Sequence, residues 1–326
     1  MFIDGKRVFL AGATGMVGSG IMNYLLGNFP SVQIHAAYYK NTRPFIRDKR
    51  VKYIYGDLRS KKDCQKVAKG CDCAVMAAAN TSGAGVLTSQ PWQQLNDNVI
   101  MNSQMLSAFH QQKIKRVVYI GSATLYQECD RPIKENELDF NQDPHPSYLG
   151  IGWATRFIEK ICKFWHENGG MEIIIVRAAN VFGPFARFNP QTSNFIPAII
   201  RKAVDRQDPF EVWGSPKVCR DVIYIEDFAR AIVMMLDREQ IKFDIFNVGS
   251  DTKTTVGEVV SWALKYAGHK PSEVRYLSDK PTTIKFRMLD CAKAKELLGW
   301  QPQYAVEEGV KKTLQWWLEN RRYWKR

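Results

Sequence analysis

Arg7-Val8-Phe9-Leu10-Ala11-Gly12-Ala13-Thr14-Gly15-Met16-Val17-Gly18 stands near the N-terminus, and the helical pattern Ile21-Met22-Asn23-Tyr24-Leu25-Leu26 follows it. The order is an apolar strand, a glycine turn and a helix. Such a turn sets backbone N–H groups at a helix N-terminus, where the dipole favours a group such as a diphosphate. Glycine is required because a Cβ holds the ligand away or forbids the turn. The spacing is G-x-x-G-x-x-G rather than the commoner G-x-G-x-x-G. Three glycines in seven residues also describe an ordinary turn. Their place directly after a first strand is what points to a dinucleotide.

The chain has 326 residues, 45% of them hydrophobic and 24% charged, as in ordinary globular proteins. It is long enough for one large domain or two smaller ones. The start, Met1-Phe2-Ile3-Asp4-Gly5-Lys6-Arg7, lacks the apolar core of a signal peptide, and no apolar run reaches the roughly eighteen residues of a membrane span. A cytoplasmic protein without a membrane partner is expected. Seven cysteines are scattered without a C-x-x-C pair, which reads as reduced, mostly buried thiols. No metal is assigned. Forty-six Lys and Arg against 33 Asp and Glu give +13, a balance suited to anionic ligands. The cations are spread along the chain, so nucleic acid is not the expected partner.

Strand-like segments at 8–11, 32–37, 51–55, 74–78, 117–120 and 173–176 alternate with helical patterns, notably 92–112 and 148–165. This alternation predicts an α/β fold, a Rossmann-type doubly wound parallel sheet. Right-handed crossovers bring every strand's C-terminal end to one edge, where ligands bind. Gly12, Gly15, Gly18, Asp57, Ala77, Ala78, Ala79 and Ser122 all fall at such ends. The texture changes after residue 177, with Pro184, Pro190, Pro197, Pro209 and Pro216 in a loop-rich stretch. The expected organisation is a dinucleotide-binding domain over 1–177 and a smaller lobe, mainly substrate-binding, over 178–326, with some chain crossing back to the sheet.

Ser122 follows a buried strand pattern, and Tyr148 opens a helix after Pro144-His145-Pro146-Ser147. A tyrosine at the cleft edge exchanges a proton at a carbinol, but its free pKa of about 10 demands a cation nearby. A serine beside it hydrogen-bonds the same oxygen. Taken singly, such a serine is more often a cap and such a tyrosine a packing residue. His110 and His145 read as surface or packing residues.

In this setting the chain resembles the extended short-chain dehydrogenase/reductases that act on nucleotide sugars. The resemblance rests on the glycine turn, Gly56-Asp57-Leu58, Ala77-Ala78-Ala79, Asn98, Pro146-Ser147-Tyr148, Arg177-Ala178-Ala179-Asn180-Val181-Phe182-Gly183-Pro184 and Arg220-Asp221-Val222-Ile223-Tyr224-Ile225-Glu226-Asp227. It extends through Leu298-Gly299-Trp300-Gln301-Pro302. Within that family the chain resembles GDP-L-fucose synthase-like GDP-sugar enzymes, through Gly15-Met16-Val17-Gly18-Ser19, Asn98-Val99-Ile100-Met101-Asn102, Ser193-Asn194-Phe195-Ile196-Pro197-Ala198 and Val212-Trp213-Gly214.

The resemblance implies Ser122, Tyr148 and Thr124 as the catalytic positions. It implies Gly12, Thr14, Gly15, Met16, Val17, Gly18, Lys40, Asp57, Leu58, Ala77, Ala78, Ala79, Asn98, Tyr148, Ala178, Asn180 and Val181 around the cofactor. It implies Asn180, Arg187, Asn194, Phe195, Trp213 and Arg220 around a nucleotide-sugar substrate, and a homodimer built on the two long helices. The resemblance implies NADP or NAD as cofactor. The stretch His35-Ala36-Ala37-Tyr38-Tyr39-Lys40, followed by Arg43, carries no acid for ribose hydroxyls and leans toward NADP.

The chain departs from the resemblance at instructive places. The family's Y-x-x-x-K tyrosine is followed four residues later by a lysine, and here Gly152 stands there. Arg156, eight residues on, lies roughly 12 Å along a helix and is not assigned. The acidic pair of sugar dehydratases is replaced by Ala123 and Thr124. The cysteine and histidine that epimerise carbons in GDP-L-fucose synthases are replaced by Thr124 and Phe185. What remains is hydride chemistry at one sugar carbinol, C4, as oxidation, reduction or 4-epimerisation. The alternatives are a non-catalytic dinucleotide-binding sensor or scaffold, and a basic RNA-binding member of the same fold.

Overall fold

The computed structural model describes residues 2–40, 44–81, 91–278 and 284–324. Its strands are β1 (Arg7–Ala11), β2 (Gln33–Tyr38), β3 (Val51–Tyr55), β4 (Cys73–Met76), β5 (Arg116–Ser122), β6 (Glu172–Ala178), β7 (Asn180–Phe182), β8 (Phe210–Trp213), β9 (Cys219–Arg220), β10 (Val222–Tyr224), β11 (Phe243–Val248), β12 (Thr254–Thr255) and β13 (Val274–Leu277). Its helices are α1 (Met16–Asn28), α2 (Lys61–Ala68), α3 (Pro91–Gln111), α4 (Leu149–Gly169), α5 (Phe195–Val204), α6 (Ile225–Asp237), α7 (Val256–Ala267), α8 (Ala292–Leu298) and α9 (Val306–Asn320).

Seven strands form one parallel sheet in the order β11-β6-β5-β4-β1-β2-β3. The strand order reverses between β1 and β4, so a crevice opens at their C-terminal ends. β4 and β6 are buried along nearly their whole length, as a sheet covered on both faces requires. Alternate residues serve the two faces. Val8, Leu10, Ile174 and Val176 pack with Ile21 and Leu25 of α1 and Phe228 and Ile232 of α6. Phe9, Ala11, Ile173 and Ile175 pack with Cys64 of α2, Phe109 of α3 and Ile158 of α4.

The six anticipated strands are all present, and β11 is the seventh. It pairs with β6 from Phe243↔Ile173 to Val248↔Ala178. With α6 and α8 it is the chain that returns from beyond residue 178 to the sheet. A third apolar cluster joins α5, α7 and α9 around Phe188, Phe210, Val259 and Trp317, and Met16 and Val17 of α1 pack against it. The seven cysteines are free, and all but Cys129 are buried. Among the described residues no helix is long and apolar enough to cross a membrane.

Candidate active site

The glycine turn is shaped by close approach. Gly12 has φ +68°, and a Cβ there would stand 2.7 Å from the Ala77 carbonyl oxygen and 2.8 Å from Ala78 Cα. A Cβ on Gly18 would stand 2.2 Å from the Gly12 carbonyl oxygen. The turn is thereby pressed against the end of β4, and α1 is pressed against the turn. Gly15 caps α1, and the first helical backbone bond runs from the Ser19 N–H to the Gly15 carbonyl at 2.9 Å. The N–H groups of Met16, Val17 and Gly18 precede it, and no acidic side chain occupies this first turn. The buried Thr14 lies between the glycines. These donors suit a dinucleotide diphosphate.

Beside the turn, Asn98 acts as a two-pronged clamp. Its side-chain oxygen accepts from the Asn80 N–H at 2.8 Å, and its amide donates to the Asn80 carbonyl at 3.1 Å. The clamp fixes the segment that carries Ala77, Ala78 and Ala79. The Asp57 side chain is already engaged within the protein. Its carboxylate accepts from Arg59 Nη2 at 2.8 Å, and Arg59 also pairs with Asp97 at 3.1 Å and donates to Tyr39 Oη at 3.1 Å. The hydrogen bond from Arg59 holds the Asp57 pKa below its ordinary value. Leu58 is buried next to it. Lys40 is exposed, with its ammonium 5.8 Å from the Tyr39 ring centre. Arg43 lies outside the described residues. The end of β2 presents no carboxylate.

Ser122 ends β5 level with Ala178 of β6. Its hydroxyl accepts from the Thr124 N–H at 3.2 Å and from Thr124 Oγ1 at 3.1 Å. Tyr148 is the half-buried N-cap of α4, and its N–H donates to the His145 carbonyl at 2.7 Å. His145 Nδ1 accepts from the Ser147 N–H at 3.1 Å, which ties the turn that presents the phenol.

Gly152 is more than an absent lysine. A Cβ there would stand 2.6 Å from Pro144 Cγ and 2.9 Å from the Thr124 carbonyl oxygen. The space in which a lysine side chain would begin is filled by the loop preceding Tyr148. Gly152→Lys is therefore expected to lower stability by about 1–3 kcal/mol through overpacking, without any gain in activity. Thermal melting and turnover of that variant check this, and a gain in turnover would refute it. Arg156 is buried and turned elsewhere, donating from Nε to the Leu125 carbonyl at 2.8 Å and from Nη1 to the Gln142 carbonyl at 2.6 Å.

Two cations lie within electrostatic reach of Tyr148. They are Arg220, half-buried at the end of β9, and Arg287, which is 6% exposed. Burial lowers the pKa of both guanidiniums, and the tyrosine opposes that shift. Asn180 donates twice to the Asp221 carbonyl, from its N–H and its side-chain amide, each at 3.1 Å. Val181 follows it in β7, paired with Ile223 of β10. Arg187 and Asn194 are exposed, Phe195 opens α5 against the third cluster, and Trp213 is 50% exposed at the end of β8. No described hydrogen bond links these four to Ser122 or Tyr148. Phe185 sits at φ +69° against Phe45 and Trp316, with ring centres 5.2 and 5.5 Å away.

The fully buried Asp221 carboxylate accepts from the Ser250 N–H at 2.8 Å and the Leu289 N–H at 3.2 Å. Burial raises its pKa from 3.8 to about 6. The unfolded chain releases this proton near 3.8, whereas the folded chain keeps it to about 6. Between these values the native state binds more protons, so this group's contribution falls as pH rises, by about 3 kcal/mol in all. The stability difference between the native chain and Asp221→Asn, read by urea unfolding, is expected to shift by about this amount in favour of the variant from pH 4 to 7. A pH-independent difference would remove the assignment.

Sequence reasoning did not single out Arg287, which is buried and donates to the Gln127 and Tyr126 carbonyls at 3.0 and 3.1 Å. Its only signal was a cation in an otherwise apolar pattern, Phe286-Arg287-Met288-Leu289.

A parallel sheet with a glycine turn after β1, and a serine and a tyrosine after its carboxyl edge, defines a Rossmann-type protein. The chain belongs to the NAD dependent epimerase/dehydratase family, which it matches over residues 8–249. It is 26% identical to the GDP-L-fucose synthase of Escherichia coli (strain K12), with 97% of each chain covered. It is 24% identical to a dTDP-4-dehydro-6-deoxy-D-allose reductase from a Streptomyces species, with 98% of each covered. The solved UDP-glucose 4-epimerase of Thermus thermophilus, in complex with NAD, has the same fold. Its TM-score is 0.82 at 20% identity, covering 96% of this chain and 99% of that one.

Proposed function

We propose that this chain is an NAD(P)-dependent nucleotide-sugar oxidoreductase or 4-epimerase, acting on a GDP-sugar at one carbinol, C4. The observation that carries the reading is Ser122 at the sheet's carboxyl edge, on the strand that ends level with Ala178, together with the half-buried Tyr148 at the N-terminus of α4. The GDP-L-fucose synthase relative supports the choice of nucleotide. The glycine turn would hold the cofactor diphosphate, with Asp57 and Leu58 toward the adenine and Ala77, Ala78, Ala79, Ala178 and Val181 lining its path. The carboxylate-free end of β2 favours NADP. A nicotinamide supplies the hydride acceptor or donor. Tyr148 Oη takes the hydroxyl proton of the carbinol on oxidation and returns it on reduction. Ser122 Oγ hydrogen-bonds the same oxygen. Arg220 and Asn180 would receive the substrate diphosphate, with Arg187, Asn194, Phe195 and Trp213 further along the nucleotide sugar. Double epimerisation beside the ketone is not expected, because Thr124 and the ring-packed Phe185 do not shuttle the protons it requires.

The test is the reduced-nicotinamide absorbance band, followed while GDP-, UDP-, dTDP- and CDP-sugars and their 4-keto forms are added with NAD(H) or NADP(H). Product analysis for the C4 epimer accompanies it. A band change or an epimer with a GDP-sugar supports the reading. Neither outcome with any sugar, in a chain that binds the cofactor, would leave the non-catalytic sensor.

The exposed apolar faces of the long helices support a homodimer. Leu149, Trp153 and Phe157 are 46%, 38% and 49% exposed at successive i, i+4 positions of α4, and Ile100 is 42% exposed on α3. Phe157→Glu is expected to convert a dimer to a monomer in light scattering, and an unchanged mass would place the interface elsewhere.

A further inference from the structure

A serine hydroxyl has one proton to give and two lone pairs with which to accept. Both lone pairs of Ser122 Oγ are taken by one residue. The Thr124 N–H donates to it at 3.2 Å, and the Thr124 hydroxyl donates to it at 3.1 Å. A backbone N–H only donates, so the direction of the first bond is fixed. The Thr124 hydroxyl has no other acceptor among the described residues, which directs its proton to Ser122 Oγ. The proton of Ser122 itself is thereby left to point away from Thr124. The arrangement is held by α4, the helix that Tyr148 opens. Ser122 caps the short helical turn Ala123–Leu125, and Arg156 of α4 donates to the Leu125 carbonyl at 2.8 Å. Gly152, one turn after Tyr148, lets α4 close on this turn, because a Cβ there would stand 2.9 Å from the Thr124 carbonyl oxygen. Ala123 and Leu125 are buried, and Ser122 and Thr124 are half-buried.

We infer that Thr124 is a positioning residue whose two bonds to Ser122 Oγ fix that serine as a hydrogen-bond donor to the substrate oxygen. The inference rests on the proposed role of Ser122 at the C4 oxygen. On oxidation this oxygen yields its proton to Tyr148 Oη while its carbon yields a hydride to the nicotinamide, and it ends as a carbonyl, which only accepts. On reduction the carbonyl accepts from the outset. A serine whose proton was engaged by Thr124 Oγ1 would meet that oxygen with a lone pair, and two acceptors repel. With Thr124 as the donor, the Ser122 proton serves the oxygen in both directions. Thr124 therefore acts through Ser122 and transfers no proton of its own. Gly152 has a part in this arrangement, since any larger residue would press on the Thr124 carbonyl and displace the turn that carries both donors.

Neutron diffraction from deuterated crystals of the ligand-free protein reads the two hydroxyl deuterons directly and needs neither cofactor nor turnover. The Thr124 deuteron is expected on the line to Ser122 Oγ, with the Ser122 deuteron directed away from Thr124. A Ser122 deuteron placed on Thr124 Oγ1 overturns the assignment. Steady-state kinetics with the responsive nucleotide sugar test the consequence. Thr124→Val keeps the backbone N–H and the shape of the side chain but loses the hydroxyl donor. It is expected to lower kcat by about threefold to tenfold with KM unchanged. Thr124→Ser keeps the donor and is expected to recover most of that loss. Thr124→Ala serves as the second hydroxyl-free variant should Thr124→Val fold poorly. An unchanged kcat in a folded hydroxyl-free variant overturns the assignment. A raised KM at unchanged kcat would make Thr124 a direct substrate ligand, and the assignment falls. Absence of turnover with every sugar would refute the proposed function, while the neutron map still decides where the Ser122 proton lies.

Discussion

Tyr148→Phe is expected to lower turnover of the responsive nucleotide sugar by about 10²–10⁴-fold, with little change in KM. The size follows from what is lost and what stays. In the proposed reaction the phenol oxygen is the proton carrier, and the neighbouring described groups are otherwise engaged. Ser122 Oγ is already occupied as acceptor for Thr124, and His145 Nδ1 is held by the Ser147 N–H. The phenylalanine ring keeps its place 5.8 Å from the His145 ring, and the cap of α4 depends on the Tyr148 backbone rather than on its hydroxyl. Melting temperature is therefore expected to move little while kcat collapses. Ser122→Ala removes one hydrogen bond to the same oxygen and is expected to cost less than Tyr148→Phe. Should Tyr148→Phe retain more than about a third of turnover, proton transfer at this site would not run through the phenol.

How much of this was legible follows the range of the interactions involved. The β1–turn–α1 unit could be read because each glycine answers a local demand. Gly12 needs a left-handed backbone, and Gly18 needs room against the turn six residues earlier. The strands of the first half show apolar runs that carry their own signal. β11 does not. Asp244 and Asn247 interrupt it, and Asn247 is buried only because Tyr126, Ile133 and Glu135, more than 100 residues away, supply its partners. Arg287 escaped for the same reason, since its carbonyl acceptors lie 160 residues upstream. Gly152 was visible as a departure. That Pro144 occupies the vacated space depends on how the loop folds back on α4, which no local pattern encodes. Asp57 shows the opposite failure, because its match to a family motif did not foretell that Arg59, two residues on, would claim its carboxylate.

Beneath the site lies the pair whose loss should cost the fold most. Arg177 and Glu159 are 2% and 4% exposed and meet through two parallel bonds of 2.9 and 2.8 Å. Burial opposes the Arg177 charge, but the hydrogen bonds and charge of Glu159 outweigh it, and the pKa is raised. Arg177 Nη1 donates further to Tyr126 Oη and to the Glu135 carbonyl, each at 2.8 Å, and Tyr126 Oη donates to Asn247 at 2.7 Å. The network therefore pins β6, α4 and β11 to the turn after β5, whose carbonyls hold Arg287. Removing one partner leaves a buried, uncompensated charge, so Arg177→Met and Glu159→Gln are each expected to destabilise the chain by about 3–5 kcal/mol. The double variant Arg177→Met/Glu159→Met removes both charges and is expected to recover much of that loss. Urea unfolding of the three variants measures the cycle. Single variants within about 1 kcal/mol of the parent would show that water or a rearranged neighbour solvates the remaining charge. The double variant should nonetheless lose activity, because Tyr126 would no longer be held by the guanidinium and the turn that aligns Ser122 with Arg287 would loosen.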